Sequence, residues 1–146
     1  MIPAFTGDGY LPEGVHETSW NELQTRYGST AHRKRLLAGL RHAISDLALA
    51  GCKAIYIDGS FITVKEVPGD FDACWDEDGV DWDALDETLL TFDNARAAQK
   101  LKYGGELFPM NAHADPWGNR FLDFFQRDKH TQQPKGILKL SLETWQ

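Results

Sequence analysis

The residues of this chain best suited to chemistry are two aspartates one residue apart, Asp70 and Asp72, and an upstream Gly59-Ser60 pair. Nine residues, 61–69, separate the two halves. In a strand, residues i and i+2 point to the same side. A strand over 70–75 therefore projects Asp70 and Asp72 together and sends Phe71 and Ala73 the other way, into a core. Carboxylates held side by side raise each other's pKa. A divalent cation relieves that repulsion. Oxygen donors of this kind suit magnesium, which commonly takes one or two carboxylates plus substrate phosphates. Gly59 permits a backbone to come close to a ligand. Ser60 offers a hydroxyl and an amide to a phosphate at the start of a helical turn.

The elements that must hold these residues are legible around them. Ile55-Tyr56-Ile57 is an apolar run inside a predicted strand, Lys53 to Asp58, that delivers Gly59-Ser60 at its end. Phe61 to Val64 starts a short helix. Lys65 and Glu66 then lead into a Val67-Pro68-Gly69 turn before the aspartates.

Strand, Gly-Ser, a nine-residue gap and an apolar-flanked Asp-x-Asp resemble the signature of the polymerase-beta-like nucleotidyltransferase superfamily, above all its small, single-domain bacterial branch. The signature occupies residues 53–75, and the similarity extends more loosely through Lys102–Pro109 and Phe124-Phe-Gln126. The resemblance implies metal-dependent transfer of a nucleoside monophosphate from a nucleoside triphosphate, such as ATP, to a hydroxyl. Asp70 and Asp72 would hold magnesium or manganese (Mg2+ or Mn2+) on the triphosphate. Gly59, Ser60 and Lys65 would hold its terminal phosphates. A third carboxylate on a following strand would complete the metal site. Glu106 is the candidate, in the strand-like segment Gly104 to Pro109, although an aspartate is more usual there. Asp115 and Asp123 are rivals, with Asp123 ranked lower because it falls in a helical run, 121–125. A chain this short has little room for a separate substrate domain. A protein hydroxyl or an RNA end is therefore the expected acceptor. The resemblance also permits a place in a toxin–antitoxin or phage-defence pair, with a cognate partner. Two other classes stay open: an inert, antitoxin-like binding subunit that keeps the fold, and a nucleotide sensor without turnover.

Competing chemistry is weaker. A calcium loop with Gly79 as its turn glycine would begin at Cys74 and end at Leu85, both wrong as ligands. His113 and Asp115 could form a metal pair but lack a third ligand. No Gly-x-x-x-x-Gly-Lys occurs, and Ser60 has no nearby histidine in sequence.

The rest of the chain sets the frame. At 146 residues one domain is expected, with 1–14 an extended arm pegged by Phe5, Tyr10 and Leu11. A formal charge of −7 argues against a general nucleic-acid coat. Cys52 and Cys74 sit in apolar surroundings and read as free thiols of a reducing compartment. No signal peptide or membrane span is visible, so a cytoplasmic protein without membrane partners is expected. Ser19 with Glu22 forms a capping box for a short helix to Arg26, stopped by Gly28. Ser29 or Thr30 caps a helix to about Ala50, with Leu36, Leu40, Ile44 and Leu47 on its core face. His32, Arg33, Lys34, Arg35 and Arg41 crowd its first turns, as a solvated face or a docking patch for an acidic partner or RNA. His16 reads as a loop residue. Asp81 is expected to cap a helix carrying Trp82, Leu85, Leu89 and Phe92. Ala95 to Lys102 is helical, and Phe121, Phe124 and Phe125 form an aromatic core stripe. Arg127 to Lys135 is a basic loop, and Ile137 to Leu142 alternates as a last strand. The fold class is α/β (α+β): a small mixed sheet flanked by helices, nucleotidyltransferase-like.

Overall fold

Side-chain alternation along the strands sorts the apolar residues onto two faces of one sheet. The computed structural model describes residues 1–145. Strands β1 (Gly14–Thr18), β2 (Ala54–Asp58), β3 (Phe71–Trp75), β4 (Gly105–Pro109) and β5 (Gly136–Ser141) form a mixed, five-stranded sheet in the order β1-β5-β2-β3-β4. β1 runs parallel to β5 and β3 parallel to β4, whereas β2 is antiparallel to both β3 and β5. Four α-helices accompany it: α1 (Trp20–Tyr27), α2 (Ala31–Leu49), α3 (Asp93–Tyr103) and the single turn α4 (Phe121–Phe124). The protein is thus an α+β fold.

Ile55 and Ile57 of β2, Phe71, Ala73 and Trp75 of β3, Leu107 of β4, and Leu138 and Leu140 of β5 face the helices. They bury with Leu23 and Tyr27 of α1 and Leu36, Leu40, Ile44 and Leu47 of α2. Residues of the other parity form a smaller cluster, Cys74, Phe125 and Ile137, bordered by Tyr56, Phe108, Phe121 and Leu122. Asp58, Asp72 and Glu106 share that second parity, so the fold puts acids on the face away from α1 and α2.

The helix starts follow the sequence. Ser19 accepts from the Glu22 amide at 3.2 Å and Thr30 from the Arg33 amide at 3.1 Å. Gly39 of α2 has no room for a side chain, because a Cβ there would stand 1.8 Å from the Tyr103 carbonyl oxygen. That close approach brings α3 against α2 and beside β4. The exposed edge of β4 is then covered, since the Leu107 amide donates to Gln99 Oε1 at 2.8 Å.

Several expectations are corrected. His16 lies in β1, not in a loop: Gly14–Thr18 pairs in register with Gly136–Leu140. No helix runs from Asp81 to Phe92. Asp81 and Asp86 accept from the amides two residues on, Asp83 and Thr88, and local turns plus a short 3-10 turn at Glu87–Leu90 replace it. α3 starts at Asp93, with Asn94, Ala95 and Arg96 at left-handed φ of 52°, 54° and 60°. The strand holding Asp72 begins at Phe71, so Asp70 precedes it and is exposed. Phe124 is partly exposed, and only Phe125 of the aromatic stripe is fully buried. Among the described residues no helix is long and apolar enough to cross a membrane.

Candidate active site

Register places three carboxylates in one row. Asp58 of β2 is paired with Asp72 of β3, and Asp72 with Glu106 of β4. Like charges so close cannot all stay ionised without compensation. The two outer acids have cations. Lys135 donates to Asp58, and both side chains are largely buried. Arg96 and Lys100, four apart on α3, reach Glu106 Oε1 at 3.0 and 3.2 Å. Burial pushes the Asp58 pKa up against the pull of Lys135. Burial also opposes ionisation of Glu106, but the hydrogen bonds from Lys100 and Arg96 prevail and hold it below its ordinary range.

The central acid has no such partner. Burial, then the charges of Asp58 and Glu106, raise Asp72 to about 7, and its carboxyl lies within hydrogen-bonding reach of Glu106. Asp72 therefore ionises less readily than an ordinary carboxyl, with Glu106 beside it. Asp58 was not among the residues singled out from the sequence. Its one signal is an acid closing an apolar strand next to Gly59.

Gly59-Ser60 follows Asp58 directly. Gly59 has φ 92° and ψ 178°, and a Cβ there would meet the Asp72 amide nitrogen at 3.0 Å and Asp72 Oδ2 at 3.1 Å. Only glycine fits both the backbone angle and the space. Ser60 opens a short 3-10 turn, Ser60–Ile62. Its hydroxyl accepts from the Gly69 amide at 3.1 Å, which closes the connection to the aspartates. A hydroxyl that accepts one bond still has its own O–H to donate.

The basic residues of α2 hold the same connection from behind. Arg33 is buried rather than solvated, contrary to both sequence-based readings of that cluster. Its guanidinium donates to the carbonyls of Phe61 (2.6 Å), Thr63 (3.0 Å) and Lys65 (2.7 Å). His32 Nε2 lies 2.6 Å from the Pro68 carbonyl oxygen. Arg41 instead stacks over Trp20 and Trp145.

Asp58, Gly59, Ser60, Lys65, Asp70 and Asp72 line one cavity of about 620 Å³. Tyr10 and the segment before β5, with Lys129 and Lys135, line the same cavity. Asp70 and Asp72 thus open into the same space although they do not share a strand. Glu106 is off the cavity wall. A larger groove of about 740 Å³ next to it contains Asp115 and Asp123 but neither half of the motif. Asp115 is spent locally: it accepts from the Trp117 and Asn119 amides and the Asn119 side chain, and the Asn119 bonds hold its pKa down. Asp123 is exposed on α4.

Asp70 and Asp72 offer oxygen donors of the type a hard divalent cation takes, and both line the cavity. Among the described residues no three His, Cys, Asp or Glu side chains already converge at ligand spacing. Asp58 and Glu106 are engaged in ion pairs of their own.

No curated protein and no solved structure matches the chain. The model of a family of unknown function, DUF6932, covers residues 3–141, and the chain belongs to that family.

Proposed function

We propose that this protein is a metal-dependent nucleotidyltransferase, moving a nucleoside monophosphate from a nucleoside triphosphate to a hydroxyl of a protein or RNA, the bond between the α- and β-phosphates breaking so that pyrophosphate leaves and the hydroxyl gives up its proton. The observation that carries the reading is the cavity that unites Gly59-Ser60, Lys65, Asp70 and Asp72, with Glu106 against Asp72. Asp70 and Asp72 hold magnesium or manganese together with the triphosphate. The cation, when bound, draws charge from the α-phosphoryl oxygens and favours in-line attack. The Ser60 hydroxyl and the amides at Gly59 orient the terminal phosphates. Glu106, paired with Arg96 and Lys100 and beside Asp72, acts on transfer through the position of Asp72 rather than on nucleotide binding. The Arg33 bonds keep the loop carrying Ser60 and Lys65 rigid, which lowers the ordering cost of binding.

A second reading, a nucleotide-binding subunit or sensor without turnover, is favoured by one observation. Glu106 is paired internally and stands off the cavity wall. A reducing, cytoplasmic setting is supported by Cys52 and Cys74, both free and buried. A partnership in a toxin–antitoxin or phage-defence pair would supply the acceptor.

The test is incubation with each labelled triphosphate, magnesium or manganese, and either cell protein or total RNA. Wild type is expected to label one of them. Asp70→Asn and Asp72→Asn are expected to abolish metal-dependent nucleotide binding. Glu106→Gln is expected to keep binding and lower transfer by orders of magnitude. Binding without labelling of any acceptor would favour the sensor or subunit. Unchanged affinity in both aspartate variants would remove the metal site altogether.

A further inference from the structure

The segment before β5 brings basic residues to the cavity that the sequence reading gave no individual role. Arg127, Lys129 and Lys135 line it together with Lys65. Lys135 is committed to Asp58. Among the described residues Lys129 and Lys65 form no ion pair. Lys129 lines the same cavity as Asp58, Asp70 and Asp72. A lysine that shares a cavity with acids without pairing to them leaves its ammonium available to a ligand that those acids also serve.

The backbone under Lys129 is fixed. The Asp128 carboxylate accepts from the His130 and Thr131 amides at 2.8 and 2.9 Å. The Asp128 carbonyl accepts from the Gln132 amide at 2.8 Å, and the Asp128 amide donates to the Gln133 carbonyl at 2.9 Å. Tyr10 of the N-terminal arm lines the same cavity as Asp128. The turn is therefore built before any ligand arrives, with Lys129 presented from it.

We infer that Lys129 and Lys65, which line one cavity, together hold a polyphosphate between them and the Asp70–Asp72 pair. The nucleoside attached to that polyphosphate rests on the nucleotidyl-transfer reading; the clamp rests on the cavity alone. The chemistry selects this ligand class. Two uncommitted ammonium groups suit a multiply charged anion. The acids between them repel a bare anion, so a polyphosphate carrying a divalent cation is the form that satisfies both. A volume of about 620 Å³ lies in the small-ligand range. The formal charge of −7 disfavours a nucleic-acid backbone as occupant.

The experiment is calorimetric titration of the whole chain with inorganic tripolyphosphate plus magnesium at low salt, then with ATP plus magnesium. Lys129→Ala is expected to weaken both affinities roughly ten- to hundredfold, the scale of a charge-assisted contact. Lys129→Arg should retain most of the affinity, and Lys129→Glu should abolish it. Lys53→Ala, far away beside Asp78, should change nothing. Lys129 is exposed, and matching thermal melts will verify that its variants fold. If wild type binds and Lys129→Ala binds equally well, the clamp is wrong and the transferase reading stands. If tripolyphosphate with magnesium binds through Lys129 and Asp72 but ATP with magnesium does not, the clamp stands and the transferase reading fails; if tripolyphosphate needs no magnesium and ignores Asp72→Asn, the clamp is wrong. If wild type binds neither ligand, both fall.

Discussion

Replacing Asp72 by asparagine should make the metal-free protein more stable in alkali and leave it unchanged in acid. Asp72 takes up a proton far more readily in the folded chain than in the unfolded one, about 7 against an ordinary 3.8. Between those values the folded state binds more protons than the unfolded state, so stability falls as pH rises. The stability that the proton confers is complete below the unfolded value and is gone once pH passes the folded one. At about 1.36 kcal/mol per tenfold in proton affinity, the ceiling is roughly 4 kcal/mol. Partial access to water and the nearby ammonium of Lys129 reduce it, and about 1–3 kcal/mol is expected. Asparagine keeps the shape and a donor toward Glu106 but has no charge to lose. Urea unfolding in chelator from about pH 3.5 to 9 isolates the effect, because other titrating groups cancel between wild type and variant. The curves should coincide below about pH 4, diverge between there and about pH 7, and run parallel above it, with the variant more stable. Magnesium with a triphosphate should close the gap by stabilising wild type alone. A difference that stays flat across this range would show that Asp72 holds no such proton, and the argument from register would collapse.

Two further substitutions test what holds the loop. Arg33→Ala strips donors from three carbonyls and should cost about 3 kcal/mol, read as a lower urea midpoint; an unchanged midpoint would mean that water replaces the guanidinium without loss. Gly59→Ala forces a side chain into a left-handed backbone against Asp72 and should cost about 1–3 kcal/mol and weaken nucleotide binding, whereas a normal melt with normal binding would show that the loop has room to shift. Asp115→Asn should leave transfer unaltered, measured beside Glu106→Gln; loss of transfer in Asp115→Asn would move the third carboxylate to the neighbouring groove.

Local patterns carried much of the fold because their causes are local. Ser19 and Thr30 cap their helices through amides three residues away, and Leu36, Leu40, Ile44 and Leu47 recur at the helical period. The prediction failed between Asp81 and Phe92, where helical spacing of apolar residues competed with aspartates that fold back on their own backbone. β1 was missed because Gly14-Val-His-Glu-Thr is short and only half buried, and its partner lies at the other end of the chain. The site divides the same way. Gly59, Ser60 and Asp72 are legible from spacing alone. Asp58 needs the register with Asp72 and a lysine 77 residues downstream to become meaningful. Arg33 could not be distinguished from its solvated neighbours, since its partners are backbone carbonyls that leave no mark on residue type.

The strand order has a consequence for how the protein comes into being. β5 occupies an interior place in the sheet although it is the last strand made, and β1, the first, has β5 as its only neighbour. On the ribosome β1 must therefore wait, unpaired, until residues 136–141 have emerged. β2, β3 and β4 can assemble earlier and bring Asp58, Asp72 and Glu106 together while Lys135 is still unmade. Arg96 and Lys100 precede β4 and accompany Glu106 from the start, but Asp58 acquires its cation only once residue 135 has been made. Until then the nascent acidic row is at its most strained, and contacts between such distant segments form slowly. The arrival of this late segment both closes the sheet and quiets its charge, so synthesis itself delays the finished cavity until residues 135–141 have emerged.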